Sequence, residues 1–271
     1  MNLLKKKGKY WHLSWSPVKG CAPVGFGAGC LHCWGGRLAR TRLCGVEDFQ
    51  MVYSDTSTTG WNGKVNCCHH KLQLPNGKGK VIALNWMGEL FNPKVPMEFI
   101  EKVFALMLMR RQHTFLLLTK VPWRMKLFME KFKLPPESVD HIFFGVSVST
   151  QREWDKNVVT LLEVPGATHR WVSMEPLIEE IDICNGSNPM EICRKVREGK
   201  FVEWIVIGAE SGPDARVMDI SWGEEVISEC LATGIIPFYK QGPDERGIAF
   251  RKAPHIMGGP LLELPFEYPR S

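Results

Sequence analysis

The chain lacks any apolar run long enough to cross a bilayer. Stretches such as Phe104–Met109 and Phe115–Leu118 fall far short of the roughly 20 residues a spanning helix needs, so no membrane role is expected. The opening Met1–Leu4 is followed by Lys5–Lys7 with no apolar segment behind the charges, which points to the cytoplasm instead of an export route. Charge of one sign is not in large excess either. Against 29 Asp and Glu stand 34 Lys and Arg, a net charge of +5 with a pI near 8.7. That balance permits a polyanionic partner but stops short of a dedicated nucleic-acid-binding domain. The odd count of nine cysteines rules out a fully paired disulfide framework. In a reducing compartment they read as metal ligands, reactive thiols or small buried hydrophobes. Internal repeats and low-complexity tracts are missing as well.

What is present is ordinary globular composition, 44% hydrophobic and 23% charged over 271 residues, enough to bury a sizeable core in one domain. Short, continuously apolar runs suggest strands at Tyr10–Trp15, Val81–Trp86, Phe115–Thr119, His141–Val148, His169–Met174, Trp204–Gly208 and Ile235–Tyr239. Amphipathic segments between them suggest helices at Pro96–Arg111, Pro122–Phe132, Thr150–Glu163, Pro189–Glu198 and Ser221–Thr233. Pro96 suits a first helical position, Thr150 with Glu153 and Ser221 with Glu224 resemble capping boxes, and Gly234 suits a helix stop. Repeated strand–helix alternation predicts an α/β fold of mostly parallel strands joined by right-handed crossovers. The Ser-, Gly-, Asn- and His-rich interval 44–80 breaks the rhythm and reads as a loop-rich insertion near the active face. The Gly/Pro-rich tail 242–271 reads as a wrap around the sheet.

Cys21, Cys30 and Cys33 follow the first predicted strand in a loop carrying Gly20, Gly25, Gly27, Gly29 and Gly35. Three thiolates at this density can converge on one metal centre, and glycines let backbone amides approach its sulfurs. Held by three cysteines, a 4Fe–4S cluster keeps one iron open for a small molecule, whereas a structural zinc site wants a fourth ligand, which His32 or His12 could supply. On spacing alone the two stand nearly level. Ligands just after a first strand lie where catalytic groups collect in α/β barrels, which favours the cluster.

The segments Trp15–Cys21 (WSPVKGC), Gly29–Trp34 (GCLHCW), Asn85–Phe91 (NWMGELF), Leu118–Lys120 (LTK), Gly145–Val148 (GVSV), Val172–Leu177 (VSMEPL), Gly208–Arg216 (GAESGPDAR) and Tyr239–Gln241 (YKQ) resemble, in order, the motifs of the phage and prophage three-cysteine-motif proteins. That family is a divergent branch of the radical S-adenosylmethionine superfamily. The spacing here is C-x8-C-x2-C where the superfamily typically has C-x3-C-x2-C, and His32 stands where an aromatic residue usually precedes the last cysteine. The resemblance implies a partial (β/α)6-type barrel in which Cys21, Cys30 and Cys33 bind a 4Fe–4S cluster. The cluster would cleave S-adenosylmethionine to a 5′-deoxyadenosyl radical that takes hydrogen from a substrate. It also implies an electron donor such as a flavodoxin or ferredoxin, and a nucleotide or modified thymidine base of phage DNA as substrate, in a host cytoplasm. A base inside a duplex would have to be flipped out to react.

Residue by residue, the resemblance places the cofactor against His32, Trp34, Asn85, Gly88, Glu89, Lys120, Ser147, Glu175, Gly208 and Glu210, with Glu175, Glu210 and Lys240 beside the reacting groups. Gly88 would give backbone access and Glu89 would meet an ammonium. Glu175 and Glu210, directly after apolar runs, should point from strand ends into the barrel mouth. Arg216 and the group Arg37, Arg40 and Arg42 are candidate phosphate contacts, the latter group equally a solvated helix face. Cys67, Cys68, His69 and His70 lack a partner motif and stay unassigned. Cys44, Cys184, Cys193 and Cys230 read as buried hydrophobes, and Trp11, Trp15, Trp34 and Trp86 as lying near the site. Two other readings remain open: a zinc-stabilised nucleic-acid-binding protein, and an iron–sulfur redox sensor without catalysis.

Overall fold

The computed structural model describes residues 9–22, 27–184, 200–243 and 249–250. The expected helix at 189–198, Cys193 and nearly all of the expected wrap at 242–271 lie outside the described residues. The chain opens with β1 (Leu13–Trp15) and β2 (Val18–Lys19), then α1 (Trp34–Thr41), α2 (Glu47–Gln50) and β3 (Asn66–Cys67). There follow β4 (Val81–Leu84), α3 (Met97–Leu108), β5 (Thr114–Thr119), α4 (Pro122–Phe132) and β6 (Ile142–Ser147). Next come α5 (Gln151–Glu153), a π-helical stretch at Trp154–Val158, and α6 (Val159–Leu162). The described chain ends with β7 (His169–Met174), β8 (Trp204–Gly208), α7 (Ile220–Thr233), β9 (Ile236–Pro243) and β10 (Ala249–Phe250).

Seven strands, β1, β4, β5, β6, β7, β8 and β9, pair in that order and all in parallel, with β10 antiparallel on the end. Because each new strand is laid beside the last, every crossover runs the same way. The right-handed rule then keeps the covering helices on one face, and the sheet curls into a half-barrel. These seven parallel strands fall on the seven runs read from the sequence, one more than the six of the barrel type that the resemblance implies.

The period of two along each strand sorts the side chains into two layers. Ile82, Leu84, Phe115, Leu117, Ile142, Phe144, Val146, Val172, Ile205 and Ile207 point outward into the helix-covered core, where they meet Phe99, Val103, Met125, Phe128 and Val226. Val81, Leu116, Phe143, Trp171, Trp204, Val206 and Phe238 point inward and form a second core with Tyr10. Burial on both faces explains why the strands read as unbroken apolar runs. The inner core is an aromatic plug: the Trp171 and Trp204 rings stack at 5.1 Å, and Tyr10 meets Trp204 and Phe238 edge-on at 5.1 and 5.3 Å. Gly145 makes room for it. A Cβ there would fall 2.3 Å from Trp171 Nε1, which crosses β6 to donate to the Leu117 and Phe143 carbonyls.

Several boundaries differ from the sequence reading for local reasons. Tyr10 and Trp11 are not strand residues; they turn inward into the plug and its rim, leaving only Leu13–Trp15 on the ladder. Pro96 is the residue before α3 and not its first turn. Asp219, not Ser221, caps α7, its carboxylate accepting the Ser221 N–H. Thr150 does cap its helix, accepting from the Glu153 N–H, and Gly234 ends α7 at φ +76°. The interval 44–80 contains α2 and β3; β3 pairs with β2, whose Val18 joins the outer core, while Ala39, Phe49, Val52 and Trp61 form a separate small core.

Candidate functional site

Above the plug, at the C-terminal ends of the parallel strands, the concave face holds a cavity of about 390 Å³. That lies in the range of small-molecule sites. The alternation that sends the plug inward also sets the walls. Two residues past Leu118 comes Lys120, and four past Phe143 comes Ser147. Trp171 leads to Ser173 and Glu175, Trp204 to Gly208 and Glu210, and Phe238 to Lys240. A register shift at Ile207/Gly208 skips one residue of β9, so the consecutive Lys240 and Gln241 both face the cavity. Of the residues singled out from the sequence, Cys21, Cys30, His32, Cys33, Trp34, Asn85, Gly88, Glu89, Lys120, Ser147, Glu175, Glu210 and Lys240 all line this one space. Gly208 stands just behind it, a Cβ on it reaching 3.4 Å from Glu175 Oε2.

The cysteine loop forms one wall. Cys33 is the N-cap of α1, and its sulfur accepts from the Gly36 N–H and from Trp61 Nε1, both at 3.4 Å. Burial pushes the thiols of Cys21 and Cys30 above their ordinary pKa, and each is raised further by its neighbours' negative charge. Lys120 answers them. Desolvation disfavours its charge, but Cys30, Glu153, Cys33 and Cys21 outweigh that and hold its pKa above the usual lysine value. Its Nζ donates to Ser147 Oγ at 2.7 Å. Among the described residues, no three His, Cys, Asp or Glu side chains close on one point tightly enough to hold a single ion.

Two acidic residues fix this loop. Glu153 accepts the Ala28 N–H at 3.0 Å and the Ser149 N–H at 2.5 Å, tying the turn before Cys30 to the end of β6. Glu210 is gripped in a fork by Arg216, Nε at 2.9 Å and Nη2 at 2.7 Å, while Arg216 Nη1 donates to the Ala28 carbonyl at 2.9 Å. Burial alone would raise the Glu210 pKa; the guanidinium reverses this and holds the carboxyl below the usual range. His32 Nδ1 lies 3.3 Å from the same carboxylate.

The opposite wall is built from β4 and its exit. Asn85 sits at φ +62°, only 2% exposed; its Oδ1 accepts the Val18 N–H at 2.9 Å, while its Nδ2 has no partner. Gly88 bridges to Gly20, and a Cβ on Gly88 would stand 2.5 Å from the Val18 carbonyl, so only glycine fits. Glu89 is buried, which raises its pKa. Its Oε1 accepts from Thr119 Oγ1 and the Phe91 N–H, its Oε2 from the Lys120 N–H. On the floor, Glu175 accepts from Tyr10 at 2.7 Å and pairs with Lys240, whose ammonium also lies over the Tyr10 and Trp11 rings. Glu175 and Glu210 thus have separate cationic partners.

Some sequence assignments change. Trp15 packs in the outer core, its Nε1 donating to the Lys71 carbonyl, while Trp11, Trp34 and Trp86 do line the cavity. His12 accepts the Val81 N–H at the opposite end of the strands from the thiols. Arg216 is taken by Glu210 and is not a phosphate contact. In the Cys67–His70 run, Cys68 is buried and its pKa is pushed up to about 12, chiefly by desolvation and then by Asp48. His70 lies 3.1 Å from Asp48, and His69 meets the Phe99 ring. These residues pack the insertion. Cys230 is buried, but Cys44 and Cys184 are only partly so. Tyr10, Trp61 and Glu153 were missed. Glu153 was visible only as a cap partner, and nothing in the turn-rich interval around Trp61 marked it as a neighbour of Cys33.

A family model described as "Protein of unknown function (DUF5131)" matches residues 5–258, and the chain belongs to that family. No curated protein and no solved structure matches it.

Proposed function

We propose that this member of the DUF5131 family is a radical S-adenosylmethionine enzyme. Cys21, Cys30 and Cys33 would hold a 4Fe–4S cluster in the mouth of the half-barrel, with S-adenosylmethionine and a nucleotide-class substrate in the cavity behind it. The observation that carries this reading is the placement of three thiols from one loop on the wall of a cavity at the C-terminal strand ends. The donor set fits the group. The three thiols come from one loop, face a shared space and lie near enough to feel one another's charge, as ligands of one cluster must. When bound, the cluster would supply the low-potential electron that splits the sulfonium carbon–sulfur bond of S-adenosylmethionine.

The protein's own residues supply the rest. The Gly36 N–H and Trp61 Nε1–H both donate to the Cys33 sulfur and orient it towards the cavity. Lys120 offsets the negative charge of the thiolates, and Asn85 Nδ2 is a buried donor free for a carboxylate. Glu89 Oε2 can accept an ammonium beside the one N–H it already takes. Glu175, held by Tyr10 at Oε1 and by Lys240 at Oε2, has its carboxylate fixed on the cavity floor. The dry aromatic floor keeps water from below. The resemblance in the sequence motifs and a half-barrel fold support the same conclusion.

The test is anaerobic reconstitution with iron and sulfide, then dithionite plus S-adenosylmethionine, with 5′-deoxyadenosine measured by mass spectrometry. The wild-type protein is expected to bind about four irons and release 5′-deoxyadenosine, and Cys30→Ala to do neither. One zinc per chain with no cleavage would establish the structural-metal reading instead. Cluster binding with no cleavage under strong reductant would favour a redox sensor.

A further inference from the structure

Beside the main cavity, a cleft of about 60 Å³ opens between α1 and the loop after β8, and the two spaces share His32, Cys33 and Ser211. Arg37 and Arg40, three residues apart and so on one face of α1, form one side; Ser211, Gly212 and Asp214 form the other. The loop comes close to Arg37: Gly212 has φ +130°, and a Cβ on it would fall 2.3 Å from Arg37 Nη1. Both arginines are half-buried. Neither guanidinium has a hydrogen bond or an ion pair among the described residues, not even with Asp214, the one carboxylate of the cleft. Two partly desolvated cations lining one cleft without a direct anionic partner are costly unless something anionic joins them. The contrast with Arg216 is direct, since that guanidinium is saturated by Glu210. Arg42, at the C-terminal cap of the same helix, does not line the cleft.

We propose that Arg37 and Arg40 form a phosphate subsite that receives one phosphate group of the substrate, with the rest of the substrate in the main cavity. Arginine forks match tetrahedral phosphate oxygens, and a cleft of this size admits a single such group but no base or sugar. The proposal rests on reading the larger cavity as the substrate chamber and names what the substrate must carry. The same chemistry is offered by the monoester of a free nucleotide and by the diester of a polynucleotide chain.

The test is calorimetric titration of the full-length, cluster-free protein with thymidine 5′-monophosphate, thymidine and a thymidine tetranucleotide. At least one phosphate-bearing ligand is expected to bind about tenfold or more tightly than thymidine. That advantage should fall about tenfold in Arg40→Gln and in Arg37→Gln. It should persist in Arg42→Gln, which removes the same charge outside the cleft. Preference for the monophosphate identifies a free nucleotide, and preference for the tetranucleotide identifies a chain. No phosphate-dependent binding, or an equal loss in Arg42→Gln, overturns the subsite. Melting temperatures of the three variants show that they fold, and Arg37→Lys keeps the test alive should Arg37→Gln not fold. The S-adenosylmethionine cleavage assay separates the two ideas. Cleavage without a phosphate preference sinks the subsite alone, and a phosphate preference without cleavage sinks the cluster reading alone.

Discussion

Gly145 and Trp171 show how one missing side chain sets the inner layer. With Trp171 Nε1 only 2.3 Å from where a Cβ would sit, Gly145→Ala must push the indole off its two carbonyls. The expected loss is about 1–3 kcal/mol, read from the midpoint of urea unfolding. Glu153 acts at the same scale on the cysteine loop. Glu153→Gln swaps one accepting oxygen for a donor, so one of the two backbone N–H groups it now serves loses its partner. Faster hydrogen exchange in residues 27–33 is the expected readout, and unchanged protection there would show that the clamp is idle. His169 tests electrostatics away from the cavity. The Glu203 carboxylate at 2.9 Å, against partial burial, raises the imidazole pKa. A raised folded pKa means the pair stabilises fully below the unfolded value of about 6.5 and loses that benefit as pH climbs through the folded one. The melting-temperature gap between wild type and Glu203→Gln should therefore be present in mild acid and vanish in alkali; both groups are partly exposed, so the gap will be small.

At the scale of elements, α1 is fixed by two glycines meeting back to back. A Cβ on Gly36 would stand 1.9 Å from the Thr59 carbonyl, and one on Gly60 2.4 Å from the Gly36 backbone. This contact brings Trp61 to Cys33, so Gly36→Ala is expected to lower the melting temperature and to make Cys33 react faster with a thiol reagent in the apo protein. The helix caps divide what could be read in advance from what could not. Thr150 announced its helix because its oxygen and Glu153 stand in a spacing that only a first turn satisfies. Ser221 offered the same pattern, yet Asp219, two residues earlier, took the role because its carboxylate reaches the Ser221 N–H and hydroxyl. Asp219→Ala should lower the melting temperature more than Ser221→Ala. Strands His169–Met174 and Trp204–Gly208 were legible to the residue, since both are buried along nearly their whole length. Tyr10 and Trp11 were not. Their composition suits a strand, and only the tertiary need to fill the concave face turns them inward.

For the whole molecule, the sheet and most of the cavity wall were legible because they rest on local pattern: apolar runs for strands, and the residues just after them for the walls. The links between distant segments were not, since nothing in the sequence couples Glu153 to Ala28, Tyr10 to Glu175 or Trp61 to Cys33. Tyr10 carries the most weight among these. It is fully buried where the half-barrel would otherwise be hollow, and its ring meets Trp11, Trp86, Trp171, Trp204 and Phe238. Tyr10→Ala should cost about 3–5 kcal/mol in urea unfolding. Tyr10→Phe, which keeps the ring and leaves Glu175 Oε1 with Ser173 Oγ as its donor, should cost much less.

The aromatic stopper has a kinetic corollary. Tyr10, Trp171 and Trp204 are fully buried, so among the described residues the base of the chamber is closed. In the reaction proposed above, molecules would arrive and depart on the strand-end side, and the deepest guest would enter first and leave last. That proposed reaction should accordingly show a compulsory order of addition, with the inner ligand trapped for as long as the outer one stays in place.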